Sequence, residues 1–256
     1  MWSRWLENRR MRRYRFERSD WERCVAWWPP AAAVSGPLRE QWFDLVKRFL
    51  LRKSIVGGAG FEVTDDMRWT VASMATLPVL GRGLQLYRGW EVVVLYETQF
   101  CSDLEHEDEH GVVHRDEEWR SGEAWEQGPV ILSWEDVQGA SSMPPYNVVI
   151  HEMAHKIDLL TGSANGAPPL PVGVSAQHWQ QVMAAAMAEL AQWERDGDTG
   201  WLDPYALEHP AEFFAVLAEV FFEAPQALAQ QWPQVYTALA GCFRLHWQQD
   251  RWEVAA

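Results

Sequence analysis

Residues 151–155, which read His-Glu-Met-Ala-His, limit the possible folds more than any other part of the sequence. Apolar residues lie before and after them, so we predict a buried helix from about Pro145 to Leu160, ending near Gly162. Positions i and i+4 of a helix share one face, with their Cβ atoms about 5–6 Å apart. The imidazoles of His151 and His155 can therefore reach one metal ion, and a buried helix would hold their geometry.

Glu152 extends this pattern to an H-E-x-x-H arrangement, which is typical of zinc-dependent hydrolysis. Zinc binds imidazole nitrogens at about 2.0–2.1 Å and acidifies water, while the glutamate stays off the metal. Such a glutamate acts as a general base that takes a proton from water and later gives it to the leaving amine. The alternative interpretation is a helix with two hydrogen-bonded core histidines.

A second match to this spacing, at residues 106–110, reads His-Glu-Asp-Glu-His and has a different context. Its neighbours are mainly acidic, and no apolar stripe is present to bury a helix. We therefore interpret residues 103–126 as a solvated acidic loop or weak hairpin. His114 adds another i+4 spacing, so adventitious metal binding is the alternative there.

A catalytic zinc site needs a third protein ligand and one open position. The position six residues after His155, where one class of these sites has a histidine, is Thr161, so that class is excluded. We prefer Glu212, because it lies in an apolar helix and a buried carboxylate is costly unless it is paired or binds metal. Glu219 follows on the same face and is a candidate to orient a ligand. The glutamates considered for the third ligand are Glu189, Glu194, Glu208, Glu212, Glu219 and Glu223.

The remaining pattern predicts an α+β protein, mostly helical with a small mixed sheet. Two runs read as strands, at 91–96 and 129–134. Helices are predicted at about 4–28, 38–51, 65–77, 175–195, 210–222 and 232–248. We expect a single domain over residues 1–256, with an arginine-rich helical arm at about 1–28.

The net charge and the composition limit the kinds of partner and the cellular location that we expect for this protein. The formal net charge of −14 disfavours nucleic acid and anionic membranes as direct partners. No apolar run is long enough for a signal peptide or a membrane span, so we expect a cytoplasmic protein. The cysteines Cys24, Cys101 and Cys242 are far apart and suggest neither a disulfide framework nor a zinc knuckle.

Several motifs in the same order resemble the Mlc titration factor A family of bacterial peptidases, over about residues 40–245. They include His151 to Asp158, the run 165–170 (Asn-Gly-Ala-Pro-Pro-Leu), the run 210–216 (Pro-Ala-Glu-Phe-Phe-Ala-Val), and the stretches at 89–90, 121–125 and 128–134. The family is similar in its metal site to the catalytic domain of anthrax lethal factor. The resemblance implies a zincin-like fold of the Glu-zincin kind.

The resemblance also implies roles for individual residues. One zinc ion per chain would be held by His151, His155 and Glu212, with Glu152 as the base. Tyr205, seven residues before Glu212, would stabilise the oxyanion of the tetrahedral intermediate. Position 216 is Val, where thermolysin-type relatives have an orienting aspartate, so Asp158 and Glu219 are the candidates to orient the ligands. Residues 129–134 are the candidate edge strand for binding the substrate backbone.

The resemblance leaves more than one function open. The first is a zinc peptidase, aminopeptidase-like on short peptides. The second is a regulatory module that binds an Mlc-type transcriptional repressor and so affects sugar uptake, with a latent or vestigial zinc site. The complete His-Glu-His-Glu set favours the first, and both functions can coexist. A weaker third alternative is hydrolysis of a non-peptide amide.

Overall fold

The structure, a computed structural model, describes residues 16–107, 113–120, 122–124, 128–141, 145–197 and 201–254. Most of the predicted arginine-rich arm, residues 1–15, lies outside this range. What is described of the predicted 4–28 helix is α1 (Arg18–Val25), followed by the short α2 (Pro29–Ala32).

Helices make up most of the described chain. The other helices are α3 (Gly36–Arg52), α4 (Asp65–Thr76), α5 (Trp134–Gln138), α6 (Val148–Asp158), α7 (Ala176–Arg195), α8 (Pro210–Glu223), α9 (Pro225–Gln231) and α10 (Pro233–Phe243), with 3₁₀ turns at Leu77–Val79, Leu84–Tyr87, Leu159–Thr161 and Pro204–Leu207. Thr64 caps α4 by accepting a hydrogen bond from the Met67 amide. The predicted helices at 38–51, 65–77, 145–160, 175–195 and 210–222 are all present, with ends shifted by a few residues.

A four-stranded mixed sheet forms in the order β1-β2-β6-β5. Its strands are β1 (Ser54–Gly57), β2 (Val92–Tyr96), β6 (Val130–Ser133) and β5 (Gly122–Ala124). β1, β2 and β6 are parallel, whereas β5 is antiparallel to β6. Two antiparallel hairpins are separate from this sheet: β3 (Phe100–Glu107) with β4 (Val113–Arg120), and β7 (Leu245–Gln248) with β8 (Arg251–Val254).

The prediction that residues 129–134 form an edge strand is wrong. β6 is hydrogen-bonded to β2 on one side and to β5 on the other, so its backbone is already paired. The edge of the sheet nearest α6 is β5, a three-residue strand that contains a glycine. The predicted 232–248 helix is also shorter than expected, because Arg244 adopts a left-handed conformation and the chain enters β7.

The core is built around α6 and α8, which pack against each other. Nearly every residue of α8 from Ala211 to Phe222 is buried, as are Val149, Ile150, Met153 and Ile157 on α6. These two helices are therefore rigid supports for the side chains that they carry. In the described part of the chain, no helix is long and apolar enough to cross a membrane.

Candidate metal centre

Two histidines lie side by side on α6. The helix begins after Asn147, whose side-chain Oδ1 accepts a hydrogen bond from the Ile150 amide at 3.1 Å. The ring centroids of His151 and His155 are 4.8 Å apart, and their Nε2 atoms are 3.1 Å apart. The predicted i,i+4 pairing on one buried helix is confirmed.

Glu212 reaches the same point from the first turn of α8. Its Oε2 lies 3.0 Å from Nε2 of His151 and 3.2 Å from Nε2 of His155. Pro210 provides the first residue of α8, and Nδ1 of His209 accepts a hydrogen bond from the Ala211 amide at 3.2 Å. The start of α8 is thus fixed, and Glu212 projects from it toward the histidines.

The three side chains form a group that could hold a metal ion, since one ligand atom from each lies within 4.8 Å of the others. Two ligands about 2.0–2.1 Å from a tetrahedral zinc ion are about 3.3 Å apart, close to the 3.0–3.2 Å found here. When both imidazoles are neutral with the proton on Nδ1, their Nε2 lone pairs repel each other, and a cation between them removes that repulsion. The donor set and its spacing therefore fit zinc.

Charge coupling within the group is strong. Burial alone would raise the pKa of Glu212, but hydrogen bonds from both imidazoles hold it well below its usual range. Burial disfavours protonated His151, yet its hydrogen bonds to Glu212 and Glu219 raise its pKa well above the usual value. A divalent cation placed there would replace the proton that the histidines and carboxylates otherwise share.

Glu219 makes a hydrogen bond with the first histidine. Its Oε1 lies 2.8 Å from Nδ1 of His151, and the carboxylate is almost completely buried. A carboxylate acceptor places the proton of a neutral imidazole on Nδ1, which leaves the Nε2 lone pair free for a metal. Of the two acids considered for orienting a ligand, Glu219 is the one that contacts a histidine of the group.

Asp158 has a different environment. Its Oδ2 accepts hydrogen bonds from the amides of Asn165 and Gly166, at 2.8 and 2.7 Å. Gly166 has φ +75, and a Cβ there would lie 2.4 Å from the carbonyl oxygen of Pro210. Asp158 thus joins the end of α6 to a loop that packs against the start of α8, and it makes no hydrogen bond to His155 among the described contacts.

Glu152 faces a cavity of about 260 Å³ beside the two histidines. The side chain is only 4% exposed, and its Oε2 has no hydrogen-bond partner among the described residues. Burial raises the pKa of Glu152. The cavity is lined by Gly122, His151, Glu152, His155, Leu159, Ala164, Tyr205, His209, Ala211 and Glu212.

Tyr205 lies at the rim of this cavity. Its ring centroid is 6.3 Å from that of His151, and the residue is 42% exposed. Asp203 caps the 3₁₀ turn that carries it, accepting a hydrogen bond from the Tyr205 amide at 3.0 Å. Tyr205 is therefore a partly solvent-exposed member of the cavity lining.

The other glutamates considered as ligands, so far as their contacts are described, lie elsewhere. Glu189 accepts a hydrogen bond from the Trp232 indole, and Glu223 binds Trp28, Ser141 and Asn147. In the second H-E-x-x-H match, His106 and Glu107 lie in the strand β3. Residues 108–110 of that match lie outside the described residues.

Sequence reasoning missed three residues of the site: Gly122, His209 and Asn147. Gly122 and His209 have no local signal, since they join the site only through the packing of β5 and α8. Asn147 had one, because an Asn directly before an apolar helical run is a common N-cap.

Comparison with known proteins adds independent information. A family model described as glucose-regulated metallo-peptidase M90 matches residues 2–244. Similar proteins named Mlc titration factor A include one from Serratia proteamaculans, 40% identical over 83% of this chain and 84% of its own length. Others are from Klebsiella pneumoniae subsp. pneumoniae, 36% identical over 88% of this chain and 85% of its own, and from Pectobacterium atrosepticum, 34% identical over 87% and 83%.

Proposed function

Because the chain belongs to the family of glucose-regulated metallo-peptidases M90, we propose that it is a zinc-dependent peptidase whose metal is held by His151, His155 and Glu212. The observation that supports this most strongly is the convergence of three ligand atoms within 4.8 Å, next to the buried carboxylate of Glu152. One ion per chain satisfies this group. Zinc in such a site supplies Lewis acidity, which polarises a carbonyl group and acidifies water.

Glu152 is the proposed general base. It projects from the helix that carries both histidines, and its desolvated carboxylate has a raised pKa, as suits a base that works near neutral pH. The carboxylate takes a proton from the attacking water and later donates it to the amine of the leaving peptide. Gly122 leaves room for this carboxylate, because a Cβ there would lie 2.4 Å from Oε1 of Glu152.

Tyr205 is the proposed oxyanion donor. A phenol at the rim can turn its hydroxyl toward the carbonyl oxygen of a bound peptide, where negative charge develops in the transition state. Its half-exposed position supports this role, since the substrate has to enter from that side. Glu219 holds His151 in the tautomer that a metal ligand requires.

Short peptides are the proposed substrates, with aminopeptidase-like cleavage. The cavity of about 260 Å³ has room for one or two side chains. β5 is the sheet edge beside α6, and its side away from β6, with which no described strand pairs, can bind an extended peptide backbone as an added strand. This assigns to β5 the role that sequence analysis expected of residues 129–134.

A second candidate function is regulatory binding of an Mlc-type transcriptional repressor in the cytoplasm, which would influence sugar uptake. It is supported by the similar proteins named Mlc titration factor A. In its alternative form, the chain is mainly a binding module and its zinc site is latent. The two functions are compatible if the repressor binds outside the cavity.

Glu152→Gln separates these proposals. It keeps the size of the side chain and removes its basicity, so we expect hydrolysis of aminoacyl and short-peptide reporters to fall at least 1,000-fold while zinc content stays at one per chain. Repressor binding, measured by calorimetry with a purified Mlc-type protein, should be unchanged. Equal hydrolysis by the variant and the wild type would rule out Glu152 as the base. Zinc-loaded wild type that cleaves no reporter but binds the repressor would favour the binding module.

A further inference from the structure

Asn147 is fully buried, and three of its polar groups make hydrogen bonds that bear on the metal centre. Its Oδ1 caps α6, its backbone N–H donates to Oε2 of Glu219 at 2.5 Å, and its Nδ2 donates to Oε1 of Glu223 at 2.6 Å. An ordinary N-cap needs only the first of these bonds. The other two join the start of α6 to two carboxylates of α8.

The contact with Glu219 leads directly to a proposed ligand. One oxygen of Glu219 accepts the proton of His151 Nδ1 and the other accepts the Asn147 amide, so the carboxylate cannot rotate without losing a bond. This arrangement depends on the position of the Asn147 backbone, because its N–H is the donor to Glu219. The Asn147 side chain holds that backbone in place through its bonds to the Ile150 amide and to Glu223.

Glu223 is one of the groups that hold the Asn147 side chain in place. Besides Asn147, it accepts the indole N–H of Trp28 at 2.8 Å on Oε1 and the hydroxyl of Ser141 at 2.5 Å on Oε2. The donors come from three separate parts of the chain: the segment before α2, the connection after α5, and the start of α6. Burial raises the pKa of Glu223, so these donors also offset the cost of desolvating the carboxylate.

We infer that Asn147 is a positioning residue for the metal. The zinc affinity of the site is set by a series of hydrogen-bonded residues: Trp28, Glu223, Asn147, Glu219 and His151. The inference rests on the proposed function, because it requires His151 to bind zinc. The inference adds a residue beside the N-terminal helices to those that affect zinc binding, because Trp28 bonds to Glu223 and not to a proposed ligand.

The test measures zinc affinity in the apoprotein, by competition with a chromophoric chelator at fixed pH. Asn147→Ser keeps a capping hydroxyl and loses the Nδ2 donor, and we expect its zinc dissociation constant to rise about tenfold. Trp28→Phe keeps an aromatic core residue and loses only the indole donor, so we expect a smaller rise of about threefold, in the same direction. The second variant preserves the test if the first does not fold.

Thr64→Ala is the matched control. It removes the N-cap of α4, whose hydroxyl accepts the Met67 amide, and has no contact with the chain of residues above. It should lower the apoprotein's melting temperature and leave the zinc dissociation constant unchanged. If Asn147 had only a structural role, Asn147→Ser would likewise lower the melting temperature and leave the zinc dissociation constant unchanged.

Two results would contradict us in different ways. Asn147→Ser and Trp28→Phe that both bind zinc as tightly as the wild type would overturn the positioning role alone. A wild-type chain that binds no zinc would overturn the proposed function, and this inference with it. Weaker zinc binding in both variants, with Thr64→Ala unaffected, is the outcome that we expect.

Discussion

Glu152, Glu212 and Glu219 carry the same carboxylate group in three different environments. Hydrogen bonds from two imidazoles hold the pKa of Glu212 far below its usual range, whereas burial raises the pKa of Glu152 and of Glu219. We propose that Glu212 is a metal ligand, kept ionised by its low pKa, and that Glu152 exchanges the proton. Glu219 accepts hydrogen bonds on both oxygens and is the proposed orienting residue for His151. Identical side chains acquire separate roles from their contacts.

The candidate metal ligands could be predicted from the sequence because their signals are local, and the structure brings them together. His151 and His155 have helical spacing, and Glu212 is an acid inside an apolar run. The choice between Asp158 and Glu219 as orienting residues needed coordinates, since each is an acid on one of the two predicted helices that carry the candidate ligands. Only the packing of α6 on α8 reveals that Glu219 faces Nδ1 of His151 while Asp158 faces the loop at 165–166.

Tyr205→Phe tests the proposed oxyanion donor. Loss of the hydroxyl should lower kcat about 100-fold, because a donor that acts on developing charge contributes mainly in the transition state. KM and zinc content should change little. Steady-state kinetics on a peptide reporter measure the effect. Tyr236→Phe is the control, since its hydroxyl bonds the Trp247 backbone away from the cavity; an equal loss in both variants would contradict the assignment.

At the scale of elements, the long periodic helices and the apolar strands β2 and β6 were predictable, whereas β1 and β5 were not. α3, α7 and α8 span 14 to 20 residues, so their apolar stripes are well defined. β1 and β5 have four and three residues and lack the longer apolar run that marks β2 and β6. The order of the sheet is a tertiary property, so no feature of residues 129–134 could reveal that β5 covers their outer side.

Gly122→Ala tests how closely β5 packs on α6. The new Cβ would lie 2.4 Å from Oε1 of Glu152 and 2.8 Å from Cγ2 of Val148, so the base has to move. We expect kcat to fall at least tenfold with zinc still bound, because misplacing a reacting group by about 1 Å can cost about 100-fold. Kinetics and metal analysis on the same preparation measure both quantities.

Gly139→Ala is the control for this substitution. Gly139 ends α5 with φ −75, and its nearest neighbour would be 3.3 Å from the new Cβ. Activity of this variant should remain close to wild type. A fully active Gly122→Ala would mean that β5 is not held against the base in solution.

At the scale of the whole molecule, a lysine buried between the sheet and the N-terminal helices affects stability. Nζ of Lys53 donates to the backbone carbonyls of Tyr87 and Trp90 and lies 3.8 Å from the centroid of the Trp90 ring. Burial lowers the pKa of Lys53 to about 8. Between pH 8 and 10.5 the unfolded chain therefore binds more protons than the folded one, and the free energy of unfolding rises with pH.

Lys53→Met removes this contribution. Between pH 7 and pH 10, the wild type should gain about 1–2 kcal/mol of unfolding free energy relative to the variant, allowing for partial solvation of the amine. Denaturant melts at the two pH values measure it. Lys47→Met, which removes a lysine paired with Asp44 on α3, controls for the loss of one charge. If the unfolding free energy of the wild type, relative to that of Lys53→Met, stayed constant or fell with rising pH, the burial of Lys53 would be contradicted.

At the same scale, the candidate metal centre links two core helices. Its ligands come from α6 and α8, separated by more than fifty residues of sequence, so an ion there ties two core helices together. The most direct measurement is elemental analysis of zinc in metal-replete protein after exhaustive gel filtration, comparing wild type with His155→Ala and Glu212→Ala. We expect one zinc per chain in the wild type and substantially less than one in each variant. A wild type without zinc, or variants that retain a full equivalent, would contradict the account.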